Sequence, residues 1–277
     1  MRSLIPFDLE TLVLQVTTRC PHRCPQCYMQ RGESDLPLNE AERQLEHARK
    51  MGAVAVQLTG GEPMVYPYLR QLVAAASARG MYSFFATSGT GHSLEAYRSL
   101  AEAGLSAVCL SLNDILEEEQ KATRDHFALS LAALRDAAEA GIPAFINTVV
   151  TDANVGRLEL LWAHIKRVGA VGMNLLRPHP SFDGAYQPRL SPETVTHLQR
   201  MVERNHPHWR VENCFVEYWS AVTGLPFRCT DVGRTTAMIN ADATVSPCAR
   251  LMEFRYATVQ EMLADQANWR KKCCDVQ

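Results

Sequence analysis

The stretch Thr11–Cys27, TLVLQVTTRCPHRCPQC, decides how the rest of the chain is read. Its opening, Thr11–Val16, is apolar and β-branched and reads as a strand. Three cysteines then fall within eight residues, Cys20, Cys24 and Cys27, spaced C-x3-C-x2-C in the loop after that strand. Pro21 and Pro25 stiffen the loop and remove two backbone donors. Thiolates held this closely can share one metal centre. Three of them leave a four-iron cluster one ligand short, or need a distant fourth ligand for structural zinc.

Outward from this stretch the same rhythm repeats. Strands are expected at Val54–Leu58, Met81–Ala86, Leu105–Leu110, Ala144–Val149 and Val171–Leu175. Helices are expected at Glu40–Met51, Tyr68–Arg79, Leu94–Ala103, Ala128–Ala140 and Val155–Val168, nearly all closed by glycine. Near-continuous apolar strands separated by amphipathic helices predict an α/β fold with a parallel sheet covered on both faces. The sheet can curl into a partial barrel or lie open and doubly wound; either way the chemistry belongs at the C-terminal ends of the strands. After Pro178 the rhythm breaks, with a boundary near residues 178–190. Ser191 and Pro192 open a helix to about Asn205. A hairpin follows, Thr236–Asn240 and Thr244–Ser246 around Ala241-Asp242-Ala243, then a short helix, Val259–Ala267. Residues 1–180 and 181–277 are accordingly read as two regions.

Composition narrows the class. Of 277 residues 47% are hydrophobic and 21% charged, as in globular chains. The formal charge of −2 lacks the basic excess of a nucleic-acid surface. Asp8 and Glu10 precede any long apolar run, so no signal peptide fits, and no run approaches the roughly 18–20 residues of a membrane span. The expectation is a soluble, cytoplasmic protein with no membrane partner. There, nine cysteines, an odd number, point to metal or redox chemistry rather than disulfides.

The cysteine spacing after the first strand resembles the signature of the radical S-adenosylmethionine (SAM) enzymes. Gly60-Gly61-Glu62-Pro63, after the second strand, resembles the family's GGEP motif. The resemblance covers roughly residues 9–178. It implies a partial (β/α)6 TIM-like barrel in which Cys20, Cys24 and Cys27 bind a [4Fe–4S] cluster. SAM would chelate the open iron, with Gly60, Gly61, Glu62 and Pro63 holding its amino group. Reductive cleavage, fed by a flavodoxin or ferredoxin, would yield a 5′-deoxyadenosyl radical that abstracts a substrate hydrogen. Tyr28, Ser88, Ser111, Asn113, Asn147 and Arg177 are candidate SAM contacts; a strand-end polar residue can equally serve nearby backbone groups. Gln26 departs from the family, which usually has an aromatic residue there.

The C-terminal cysteines resemble a small auxiliary-cluster region of the Twitch type, a short form of SPASM. The resemblance implies one auxiliary [4Fe–4S] cluster, with ligands drawn from Cys229, Cys248, Cys273, Cys274 and Cys214. A thiol left over among Cys214, Cys273 and Cys274 is a candidate hydrogen donor, which would make the reaction an epimerisation. Cys109, inside a strand, is read as core, and His22 as solvated or outside the ligand set. His179, Asp183 and Tyr186 face the expected site, or are ordinary loop residues. About 19 residues precede Cys20, so no leader-peptide recognition domain is expected. With the short cysteine set, this favours oxidation or epimerisation of a small, aminoglycoside-like natural product. The alternative is radical modification of a peptide or protein. A non-catalytic iron–sulfur scaffold is a third reading, against which GGEP argues.

Overall fold

The computed structural model of the protein describes residues 9–226, 229, 231, 232 and 234–272. Cys273 and Cys274 lie outside the described residues.

The elements follow in the order β1 (Thr11–Thr17), α1 (Leu38–Lys50), β2 (Ala55–Gly60), α2 (Leu69–Ala78), β3 (Tyr82–Thr87), α3 (Leu94–Glu102) and β4 (Ala107–Ser111). Then come α4 (Glu117–Lys121), α5 (Phe127–Glu139), β5 (Ala144–Val149), α6 (Leu158–Val168) and β6 (Ala170–Leu176). The C-terminal part holds α7 (Pro192–Asn205), β7 (Trp209–Val211), α8 (Val216–Thr223), β8 (Thr236–Ile239), β9 (Val245–Ser246), α9 (Val259–Ala264) and α10 (Gln266–Trp269). The helices form where apolar residues recur at helical spacing. In α1 the buried stripe is Ala41, Leu45 and Ala48; in α6 it is Leu158, Leu161, Trp162 and Ile165. The expected start of α7 is present, with Ser191 Oγ accepting from the Thr194 amide at 3.2 Å.

The strand order settles the choice between barrel and doubly wound sheet. β1 to β6 lie side by side in chain order, all parallel. Right-handed crossovers between sequential neighbours put the helices that connect β1 to β6 on one face. The other face must then curl around something, which gives an unclosed barrel. A doubly wound sheet would reverse its order beside β1.

Two features differ from the sequence expectation. First, the strands are not apolar on both faces. Val56 and Leu58 of β2, Phe85 of β3 and Ile146 of β5 are buried, whereas Gln57, Thr59 and Asn147 line a cavity inside the curl. Second, the sheet does not stop at residue 180. β7 adds in parallel to β6, and β8 adds in parallel to β1. The expected hairpin exists, with β9 antiparallel to β8, and it extends the same sheet. Three residues, Trp209–Val211, are too few to show a strand period, so β7 is illegible without its neighbour.

Tyr97 of α3 is fully buried, and its hydroxyl has no hydrogen-bond partner among the described residues. A buried, unpaired hydroxyl opposes folding. Tyr97→Phe is expected to stabilise the protein by about 1 kcal/mol in urea unfolding; an unchanged or lower midpoint would contradict this packing.

Candidate functional site

The site is built where the end of β2 meets the loop after β1. The Gly61 amide donates to the Thr17 carbonyl at 2.8 Å, and the Glu62 amide to the Arg19 carbonyl at 2.9 Å. A Cβ on Gly60 would stand 2.1 Å from the Thr17 carbonyl oxygen, and one on Gly61 2.2 Å from that of Arg19. Gly60 also has a φ of +149°, which side chains rarely adopt. Only glycine lets the two strand ends close this far. Arg19 secures the loop from outside, pairing with Asp35 at 2.6 Å and donating to the Val65 carbonyl at 3.0 Å.

Glu62 is thereby carried into the cavity wall, 2% exposed. Its Oε1 accepts from Thr87 Oγ1 at 2.6 Å and the Met64 amide at 3.2 Å. Its Oε2 accepts from the Ser88 amide at 2.8 Å and Ser88 Oγ at 2.6 Å. Burial nevertheless raises the carboxyl above its ordinary pKa. Among the described residues no basic side chain pairs with it, so this buried carboxylate fits an ammonium group.

Cys20, Cys24 and Cys27 line the same cavity, of about 270 Å³. Burial pushes the Cys20 thiol up to about 11 and raises that of Cys24. A bound cation would reverse this and favour the thiolates. Three thiols on one wall and an unmatched carboxylate beside them fit a cluster and the amino group of SAM.

Tyr28, Ser88, Ser111, Asn147 and Arg177 also line the cavity. Arg177 is committed to Glu217 of α8, with Nε to the two carboxylate oxygens at 2.9 and 2.8 Å. Pro63 is buried at the start of a single 3-10 turn, Pro63–Val65, away from the cavity wall. Asn113 is placed differently from these candidates. It is buried and does not line the cavity. Its Oδ1 accepts from the Val149 amide at 3.0 Å and its Nδ2 donates to Thr123 Oγ1 at 2.9 Å, so it braces the ends of β4 and β5. Gln26, the position that departs from the family, is buried against Asn113; with its amide oxygen turned to Arg124 it accepts from Nε at 2.7 Å. His22 is buried rather than solvated, bonded to Thr90 and packed against the tilted ring of His126, with ring centroids 3.9 Å apart and planes at 47°. Asp183 is a loop residue that accepts from Ser181 Oγ at 2.6 Å, and neither it nor Tyr186 lines the cavity. Cys109 is buried as expected.

Sequence reasoning missed Arg124, Glu212 and Arg250 on the cavity wall. They come from outside the motifs, and only the fold carries them there. Arg250 pairs with Glu212 at 3.0 Å.

The C-terminal thiols form a second group. Cys214 does not line the cavity. Its thiol is raised strongly, first by hydrogen bonding to Cys229 and then by burial, so it faces that cysteine. Cys248 packs with Cys229, Val232, Leu251 and Trp269 in a small apolar cluster.

Comparison with known proteins agrees with this geometry. The sequence profile of the Radical SAM superfamily matches residues 14–160. The chain belongs to that superfamily, whose members use a [4Fe–4S] cluster and S-adenosylmethionine. Among curated proteins it is similar to the PqqA peptide cyclase of Gluconobacter oxydans, 32% identical over 173 residues, 60% of this chain and 48% of that one. The chain thus matches about half the length of such relatives. Its fold is that of Streptococcus suis SuiB, solved with precursor peptide SuiA (TM-score 0.77, 16% identity, covering 94% of this chain and 64% of that one). It is also that of anSMEcpe, solved with bound AdoMet (TM-score 0.69, 17% identity, covering 96% and 82%). No helix among the described residues is long and apolar enough to cross a membrane.

The glycine pair carries a direct test. Gly61→Ala drives a methyl group into the Arg19 carbonyl and is expected to cost about 1–3 kcal/mol of stability, as overpacking does. SAM binding by equilibrium dialysis should fall with it; wild-type stability and binding would refute the close approach.

Proposed function

We propose that this protein is a radical SAM enzyme that modifies a peptide. The observation that carries the radical SAM part is the single cavity presenting Cys20, Cys24 and Cys27 beside the buried carboxylate of Glu62. When bound, the cluster and SAM supply a 5′-deoxyadenosyl radical able to abstract hydrogen from carbon. The chain's residues bind and orient. Cys20, Cys24 and Cys27 would hold three irons, leaving one open. Glu62, fixed by Thr87 and Ser88, would receive the amino group. Gln57, Thr59 and Asn147 offer polar contacts on the inner face of the sheet. The ion pair Arg177–Glu217 ties the end of β6 to α8, and Arg250–Glu212 joins the segment after β9 to the end of β7 on the cavity wall.

We further propose one auxiliary [4Fe–4S] cluster on the C-terminal thiols. Cys214 and Cys229 face each other, and Cys248 packs beside Cys229. Buried Trp269 belongs to the same cluster and precedes Cys273 and Cys274 by a few residues. Either terminal cysteine would complete four ligands. In this arrangement Cys214 serves as a ligand rather than a hydrogen donor.

For the substrate, the relatives favour the peptide reading over the small natural product expected from the sequence. Curated relatives carry the name PqqA peptide cyclase, and the SuiB structure holds a precursor peptide.

Anaerobic reconstitution tests the first part. Dithionite plus SAM should release 5′-deoxyadenosine, and Cys20→Ala, Cys24→Ala or Cys27→Ala should abolish it. A fully loaded protein that releases none would point to a scaffold. Iron content tests the second: about eight irons per chain in the wild type and about four in Cys229→Ser or Cys214→Ser. Equal iron in all three proteins would remove the auxiliary cluster. Turnover with a peptide encoded beside the gene should change the peptide's mass; turnover only of an aminoglycoside would restore the small-molecule reading.

A further inference from the structure

A second cavity, of about 410 Å³, adjoins the cysteine cavity, and Tyr28, His179 and Arg250 line both. The common wall is therefore made by the cysteine loop, the segment after β6 and the segment after β9. The Phe182 amide donates to the Cys27 carbonyl at 2.9 Å, so the outer cavity is fastened directly to the last cysteine of the motif.

His179 stands at this threshold. Its Nε2 is buried and has no hydrogen-bond partner among the described residues. Its ring meets Tyr28 edge-on, with centroids 6.3 Å apart. Burial, and then the charges of Arg250 and Arg177, pull its pKa down to about 2, so the imidazole is neutral at working pH. A neutral imidazole keeps one donor and one acceptor nitrogen. The two nearby cations have their own carboxylates, Glu217 for Arg177 and Glu212 for Arg250. The threshold therefore suits a neutral hydrogen-bonding group better than an ion, and a buried polar atom left without one is costly. Outside it, Phe182 is 62% exposed and Met252 lines the same groove.

We propose that the outer cavity is the groove along which an extended peptide reaches the cysteine cavity, and that His179 hydrogen-bonds a main-chain amide of that peptide at the threshold. The inference rests on the peptide reading above. An extended chain repeats a neutral donor and acceptor about every 3.3 Å, so either tautomer of His179 finds a partner. Its apolar side chains would cover Phe182 and Met252. Gln30, Glu253 and Arg255 line the same groove and offer polar contacts to the rest of the peptide.

The test uses the reconstituted enzyme and two uncharged probes. One is acetyl-Ala-Phe-Ala-Phe-Ala-amide, with a benzoylphenylalanine version for photo-crosslinking; the other is methyl α-D-glucopyranoside. The peptide should bind saturably by calorimetry, and its crosslinks should map to residues 179–182 or 249–255 of the unmodified protein. His179→Leu should weaken it roughly five- to tenfold, the effect of one neutral hydrogen bond, while His179→Gln keeps most of the affinity. Phe182→Ala, a surface change, should also weaken it. Crosslinks elsewhere, or equal affinity in His179→Leu, would overturn the groove while leaving the peptide reading standing. A peptide that does not bind, with a glucoside that binds through His179, would overturn the inference and the peptide reading together.

Discussion

The contact between the end of β2 and the carbonyls of Thr17 and Arg19 is the constraint on which the site depends. Two glycines let backbone meet backbone, and two amide-to-carbonyl bonds lock the approach. The consequences run outward from there. Glu62 is swung into the cavity wall, Thr87 and Ser88 at the end of β3 are drawn onto its carboxylate, and Cys20 is brought beside it. A methyl group at either glycine would push these strand ends apart, and with them the thiols from the carboxylate.

Charge balance governs the other rim. The barrel side contributes Arg177, and the C-terminal part contributes Glu212, Glu217 and Arg250. These pairs, partly shielded from water, fasten the end of β6 to α8 and the segment after β9 to the end of β7. Partly buried pairs stabilise mainly by not leaving a charge unmatched. The pairing also explains why Arg177 is less free to meet a ligand than its position after β6 suggests.

Much of the barrel was legible because its signals are local. Helical stripes such as Ala41, Leu45 and Ala48, and the glycines after the helices, depend on residues within a few positions of one another. The two motifs were legible for the same reason. What escaped was contributed across long sequence separations. Arg124 reaches the cavity from beyond β4, and Glu212 and Arg250 from the C-terminal third, with no motif to mark them. Asn113 shows the converse. Its place at a strand end suggests a cofactor contact, and only the fold shows that the Val149 amide and Thr123 are partners of its amide group.

The sequence by itself determined the alternation of strands and helices, the three-cysteine loop, the glycine–glycine–glutamate turn and the existence of a second cysteine group. These follow from spacing along the chain, which any fold of the sequence must respect. Tertiary structure alone decided that the sheet curls rather than lying doubly wound, because only strand order shows on which face the helices fall. It also decided that β7 and β8 extend the sheet at both edges, that Cys214 faces Cys229, and that His179 stands between two cavities. Those outcomes depend on which distant segments pack together, and no local period records that.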